Sequence, residues 1–302
     1  MARIAYEDWN PSDKSLDIVA RANAVCREYQ AQGYDLTLRQ LYYQFVARGW
    51  LANNQRNYKS LGATIDKARK AGLMDWNYIV DRTRNLRGLY TYADPASIVS
   101  AMEDDYHVDL WEGQDYRMEV WVEKEALAGV VQRAANARGV NYFSCRGYVS
   151  QSELHSAALR HIGYERREQQ QVVVVHLGDH DPSGIDMTRD MQERLELYGA
   201  STEIHRVALN RDQIDRYNPP PNPAKLTDSR VGGYIARYGE SSWELDALNP
   251  DTLADLITDE IDKHLDHDLY EDRVRYRDEG RAQLASISEH WDAVAEYVEG
   301  LS

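Results

Sequence analysis

With 302 residues, the chain is long enough for two domains, each with its own core. Its two cysteines, Cys26 and Cys145, are too few for a disulfide framework or a zinc cluster. No apolar run approaches the roughly 18 residues of a membrane span and no signal peptide is visible, so a cytoplasmic setting without membrane contact is expected.

The net charge of −15 argues against a polyanionic partner until its distribution is counted. Residues 1–95 hold 14 Lys and Arg against 10 Asp and Glu, or +4; residues 96–302 hold 21 against 40, or −19. The amino-terminal third is therefore the part suited to nucleic acid. Lysine is scarce (7 against 28 Arg) and Asp (29) exceeds Glu (21), a bias expected of a salt-adapted surface whose fold is lost at low salt.

Helical periodicity over residues 14–31 runs through Leu16, Val19, Ala22, Val25 and Tyr29. Thr37 is the N-cap of a second helix with Leu38, Leu41, Tyr42, Phe45 and Val46 on one face and Gly49 as its stop. A third is predicted from about Asn57 to Lys70, with Leu61, Ile65 and Ala68 inward. The β-like stretch 76–80 follows, and the whole reads as a helix-turn-helix with a wing. Lys59, Lys67, Arg69 and Lys70 on the third helix, with Arg82, Arg84 and Arg87 behind it, suit a duplex backbone; the plainer alternative is a solvated basic face.

Residues 90–115 read as a polar, acidic connection with one helix near 96–102. The pattern then alternates: strand 118–122, helix 125–138, strand 140–144, helix 150–162, strand 171–177, helix 184–197, strand 202–208. Such alternation predicts an α/β fold with a parallel sheet and crossover helices. Pro219 to Pro223 form a stiff loop. The tail predicts two amphipathic helices, one through Leu253, Ile257 and Ile261 and one through Ala282, Ile287, Trp291 and Val298, that either close the core or make a dimer contact.

Val172 to Leu177 is the clearest strand, and Gly178-Asp179-His180-Asp181-Pro182-Ser183-Gly184 follows where it ends. Alternate residues of a strand share a direction, so Asp179 and Asp181 can aim carboxylate oxygens at one hard cation; the ordinary alternative is helix capping and turn chemistry. Glu123, at the end of strand 118–122, adds a third carboxylate if the strands are neighbours. Three such charges could not all ionise without a cation, which implies Mg²⁺ or Mn²⁺. A transition-metal cluster of His176, Asp179, His180 and Asp181 is the weaker alternative, because His176 falls inside the buried strand.

Together these segments resemble the A subunit of type IIB DNA topoisomerases (topoisomerase VI) and the related meiotic double-strand-break transesterase. Leu38-Arg39-Gln40-Leu41-Tyr42-Tyr43 is similar to the family's Arg-x-aromatic-Tyr segment, and Val122-Glu123-Lys124-Glu125-Ala126 to its Val-Glu-Lys-Asp-Ala. Cys145-Arg146-Gly147-Tyr148 is similar to Gly-Lys-Gly-Tyr, and Asp179 to Gly184 to Asp-x-Asp-Pro-x-Gly; the second and fourth are Toprim signatures. Trp243 to Leu248 is similar to a Glu-x-x-Ala-Leu element. In length the chain resembles the short stand-alone A-like proteins of viruses and mobile elements.

The resemblance implies a winged-helix (CAP-like) domain over 1–95, a connection over 96–115, and a Toprim domain with a Rossmann-like sheet and C-terminal helices over 116–302. It implies Mg²⁺-dependent cleavage in which Tyr43 attacks a DNA phosphodiester, leaving a 5′-phosphotyrosyl double-strand break and a free 3′-hydroxyl. Arg39 would neutralise the phosphate or lower the tyrosine pKa. Glu123, Asp179 and Asp181 would hold the metal, and Lys124 and Arg146 would touch the phosphate. The implied partners are double-stranded DNA, a second copy supplying the other half of each site, and an ATP-hydrolysing B subunit, which nothing in this chain resembles. The alternatives are a Toprim metallonuclease using water and a DNA-binding protein that does not cut.

Overall fold

Three helices open the chain because their caps and apolar stripes agree. The computed structural model describes residues 3–80, 91–224 and 227–301, with α1 at Asp13–Ala31, α2 at Leu38–Ala47 and α3 at Gln55–Lys70. Ser12 caps α1 and Asn54 caps α3; at α2, Thr37 accepts the Gln40 N–H while the Gln40 side chain accepts the Thr37 N–H, a capping box. Val25, Tyr29, Leu41, Phe45, Leu61 and Ile65 form their common core.

The β-like stretch 76–80 is a correction. Trp76–Tyr78 is a 3-10 turn capped by Asp75, and only Ile79 bridges, to Leu36. The reason is tertiary: Arg69 lies over the Trp76 ring at 4.5 Å and donates to the Trp76 carbonyl at 2.8 Å, folding the chain back onto α3. The predicted wing continues into residues that, with Arg82, Arg84 and Arg87, lie outside the described residues.

The alternating segment becomes α4 (Pro95–Asp105), β1 (Tyr116–Val122), α5 (Ala128–Asn136), β2 (Asn141–Ser144), α6 (Gln151–Arg167), β3 (Gln171–Leu177), α7 (Pro182–Leu197) and β4 (Glu203–Ala208). The four strands form one parallel sheet in the order β2-β1-β3-β4, as the alternation predicts. Met118, Val120, Val122, Val173, Val175 and Leu177 face the core shared with α5; Trp121 and Val174 face the core shared with α6 and α7. The order of strand addition reverses between the parallel neighbours β1 and β3, since β1 leads to β2 on one side and β3 to β4 on the other. That crevice is where open α/β sheets place ligands.

Beyond the sheet lie α8 (Arg211–Tyr217), β5 (Asn222–Pro223), α9 (Val231–Tyr238), β6 (Ser241–Ser242), α10 (Pro250–Asp262), α11 (His267–Glu289) and α12 (Trp291–Glu299). The tail therefore holds three helices where two were predicted, because the second is broken at His290. Leu253, Ile257 and Ile261 of α10 are fully buried and close the sheet's core. Helix α11 lies along α4, with Arg281 on the Asp104 carbonyl and Ser288 on the Ala96 carbonyl, so the predicted connection is packed against the tail. No helix among the described residues is long and apolar enough to cross a membrane.

One charge is built into the sheet. Glu119 of β1 is buried and accepts from Arg160 at 2.7 and 2.9 Å and from Trp121 at 2.9 Å, with His161 Nε2 at 3.4 Å. Burial alone would raise its pKa, but His161 and Arg160 outweigh burial and hold it down at about 2. A depressed carboxylate stabilises the fold above its unfolded pKa of roughly 4.3 and loses that contribution as pH falls toward 2. Urea unfolding of wild type is expected to lose roughly 2–3 kcal/mol from this group between pH 6 and 2, and Glu119→Gln to flatten that slope. Parallel slopes in the two proteins would remove Glu119 from the account.

Candidate functional site

Backbone hydrogen bonds lock the ends of β1 and β3 together at the crevice. Glu123 N donates to the Leu177 carbonyl at 2.8 Å, and Glu123 Oε2 accepts the Asp179 N–H at 2.8 Å. Asp179 Oδ1 accepts the Leu245 N–H at 2.8 Å. Asp181 Oδ1 caps α7, accepting from Gly184 N at 2.7 Å and Ser183 Oγ at 3.0 Å, so capping and siting are combined in one side chain. Beneath them Arg206 of β4 donates to the carbonyls of Gly178, Asp179 and Gly184 at 3.0, 2.7 and 2.9 Å.

Gly184 is required by this packing, because a Cβ there would run into the Asp179 carbonyl oxygen. Gly184→Ala is expected to destabilise by about 1–3 kcal/mol and to displace Asp179. Equal melting temperatures for variant and wild type would show that the turn relaxes freely.

A second acidic pair completes the site. His180 and Trp243 exchange backbone hydrogen bonds at 2.8 and 2.9 Å, which draws Glu244, Leu245 and Asp246 across the strand ends. Lys124 Nζ then lies 2.5 Å from Glu244 Oε2, 2.9 Å from Asp179 Oδ1 and 3.1 Å from Asp246 Oδ1. Arg39 of α2 reaches the same two acids, at 2.5 Å to Glu244 and 3.1 Å to Asp246. This ion-pair wall borders two cavities. One, of about 640 Å³, is lined by Tyr43, Tyr58, Asp181, Asn222 and Glu244; the other, of about 330 Å³, by Glu123, Lys124, Arg146 and Asp246; Arg39 borders both.

The electrostatics follow from burial and crowding. Burial first, then Glu123 and Asp246, pushes Asp179 up to about 7 despite Lys124. Burial likewise raises Glu123, against the Asp179 N–H and Lys124. Burial alone would lower the Lys124 pKa, but Asp246, Asp179 and Glu244 hold it well above the usual lysine range. Tyr43 is 3% exposed; burial, then Asp246 and Glu244, pushes its hydroxyl up to about 12 against the pull of Arg39 and Asn222. The Arg39 guanidinium lies 5.8 Å from the Tyr43 ring centre.

The carboxylates offer only oxygen, the donor type a hard divalent cation takes, and two of them are pushed toward protonation. Glu123, Asp179 and Asp181 gather at one sheet end as predicted. Among the described residues, however, the trio of His, Cys, Asp or Glu donors that closes to within 4.8 Å is His205, Glu260 and His264. Lys124, predicted on a phosphate, is instead turned into the acidic cluster with its side chain 18% exposed. Arg146 is 72% exposed and paired with Glu125. Lys59 and Lys67 are exposed on α3, whereas Arg69 holds Trp76 and Lys70 pairs with Asp66 at 3.0 Å.

The transition-metal alternative does not assemble. His176 is fully buried with Nδ1 on Thr188 Oγ1, and His180 Nδ1 sits on the Tyr234 hydroxyl at 2.8 Å. Glu244, Asp246 and Arg206 were not predicted as site residues. The first two lie in the Glu-x-x-Ala-Leu segment, while Arg206 carries no sequence signal because only the fold puts it under the Asp179 turn. No protein-family model and no curated protein matches this chain.

Proposed function

We propose that this chain is an Mg²⁺-dependent DNA-cleaving transesterase of the topoisomerase VI A-subunit kind, with Tyr43 as nucleophile. The observation that carries the reading is the shared cavity: Tyr43 of α2 and Asp181 after β3 line one space within a single chain, with Arg39 and Glu244 in its wall. In this reading the first three helices belong to a winged-helix domain and the sheet to a Toprim domain. Double-stranded DNA would run along the exposed Lys59 and Lys67 of α3, whose Tyr58 borders the same cavity.

Glu123, Asp179 and Asp181 would hold the metal, which when bound polarises the scissile phosphate and stabilises the departing 3′-oxygen. The Tyr43 oxygen gives up its proton to solvent and attacks phosphorus, the P–O3′ bond breaks, the departing 3′-oxygen takes up a proton to become the hydroxyl, and a 5′-phosphotyrosyl bond results. Arg39 exchanges part of its pairing with Glu244 for the phosphate, bringing positive charge beside the tyrosine. Two copies would cut both strands, and strand passage would require a separate ATP-hydrolysing subunit.

The test is incubation with supercoiled DNA and Mg²⁺ or Mn²⁺, followed by denaturation. Linear DNA carrying protein on its 5′ ends is the expected product. One observation favours a second reading, a Toprim nuclease using water: burial and acidic neighbours hold Tyr43 protonated up to about 12. Free 5′-phosphates without an adduct would select it, and DNA binding without any cleavage would reject both.

A further inference from the structure

The outer edge of the sheet carries a cluster that has no part in that reading. His205 of β4 meets Glu260 of α10 and His264 of the turn that follows it, and the donor atoms of all three approach within 4.8 Å of one another. Glu260 lies in the last turn of α10, and His264 lies in the turn just past its end, where its N–H donates to the Ile261 carbonyl at 3.0 Å. His205 Nδ1 lies 2.7 Å from Glu260 Oε1, and the two imidazole ring centres are 5.4 Å apart.

The remaining polar atoms of the three side chains are oriented by neighbours. His264 Nδ1 lies 3.0 Å from the Glu260 carbonyl, which can only accept, so this nitrogen carries the proton and Nε2 is left with the lone pair. His205 Nε2 lies 3.3 Å from Glu203 Oε2, and Glu203 is itself held by Gln171 at 2.6 Å. Lys263 takes Glu260 Oε2 at 2.6 Å, which leaves Oε1 to act alone. The Tyr116 ring meets His264 edge-on at 4.9 Å and fixes its plane. Histidines that ligate metals characteristically donate their second nitrogen to a carbonyl or carboxylate in this way.

We infer that His205 Nδ1, Glu260 Oε1 and His264 Nε2 form a binding site for a divalent transition metal of the zinc class, with a solvent molecule completing the coordination. Two imidazoles and one carboxylate suit Zn²⁺ and are a poor set for Mg²⁺, which prefers oxygen throughout. The cation takes the place of the hydrogen between His205 and Glu260. An ion pair alone would use neither the second imidazole nor its fixed tautomer. Because α10 closes the core over the sheet, the site clamps the edge strand β4 to that helix. It is reachable from solvent, His205 being one-third exposed.

The test uses the full chain, stripped with EDTA, desalted and titrated with ZnCl₂ by calorimetry in millimolar Mg²⁺, so that the oxygen-only site is already supplied. One Zn²⁺ per chain and a rise in melting temperature are expected. His205→Gln and His264→Gln are each expected to weaken binding by roughly a hundredfold or more, and Glu203→Gln by about tenfold. Circular dichroism and metal-free melting temperature report whether each variant folds; if one fails to fold, the other two carry the comparison. No stoichiometric Zn²⁺ uptake by wild type would overturn the assignment. So would uptake undiminished in the folded variants.

Discussion

Tyr43→Phe is expected to abolish covalent attachment to DNA, lowering adduct yield by roughly a thousandfold or more, while DNA binding is retained. The ring stays packed against Tyr42 at a centroid distance of 5.5 Å, so the loss of one hydroxyl is expected to cost about 1 kcal/mol of stability or less. Tyr42→Phe is the control that separates chemistry from packing. The Tyr42 hydroxyl accepts the Asn54 N–H at 2.8 Å and donates to the Asn54 carbonyl at 3.0 Å, tying α2 to the start of α3. Its removal is expected to lower stability by about 1–2 kcal/mol and to leave the adduct. Because Tyr43 is held protonated up to about 12, wild-type adduct formation is expected to climb with pH across the alkaline range, by about tenfold per unit while the phenolate is the minor form.

The same variant addresses where each half of the site comes from. The family resemblance divides tyrosine and metal between two protomers, yet Tyr43 and Asp181 line one cavity of one chain. Asn is as good an N-cap as Asp, so Asp181→Asn is expected to keep α7 intact while weakening the metal site. A mixture of Tyr43→Phe and Asp181→Asn chains is then expected to stay inactive, since every single-chain site in it lacks one half. Recovered cleavage would place the two halves on different protomers. An adduct in Tyr43→Phe alone would falsify the nucleophile itself.

Local pattern carried most of the fold. Thr37 and Gly49 bracket α2 to within about two residues, and the β-branched run before Gly178 is β3, because each signal is settled by neighbours in sequence. Trp76 to Val80 misleads for the opposite reason: its strand-like composition is real, but Arg69 on the Trp76 face decides the conformation. Helix α9 was invisible because Gly232 and Gly233 open it, and it is anchored by Tyr234, whose hydroxyl donates to the His180 carbonyl at 2.9 Å. In the site, Glu123, Asp179 and Asp181 were legible as residues at strand ends. The direction of Lys124 was not, because the acids that turn it inward arrive 120 residues later in the chain. The His205, Glu260 and His264 cluster was equally hidden, since a Glu and a His four residues apart are a common pair and the third member comes from the sheet.

Lys124→Met is expected to destabilise the fold by about 3–5 kcal/mol at neutral pH in EDTA, the cost of leaving buried carboxylates without their counter-charge. The ammonium is shared by Asp179, Glu244 and Asp246, all within 3.1 Å; once it is gone Glu244 and Asp246 keep their ion pairs with Arg39, while Arg206 holds Asp179 through its backbone carbonyl. Methionine matches the stem and adds no polar atom, so the change isolates the charge. If Lys124 occupies charge space that a divalent cation also satisfies, Mn²⁺ or Mg²⁺ raises the melting temperature of the variant more than that of wild type, since a ligand stabilises in proportion to its affinity for the folded state. The His205 to His264 cluster does not confound this, because it is the same in wild type and variant and its contribution cancels in the comparison. Equal shifts in the two proteins would mean that Lys124 is a structural strut and that the metal, if bound, sits apart from it. A larger shift in the variant ties the ammonium and the cation to one electrostatic role at the end of β1 and β3.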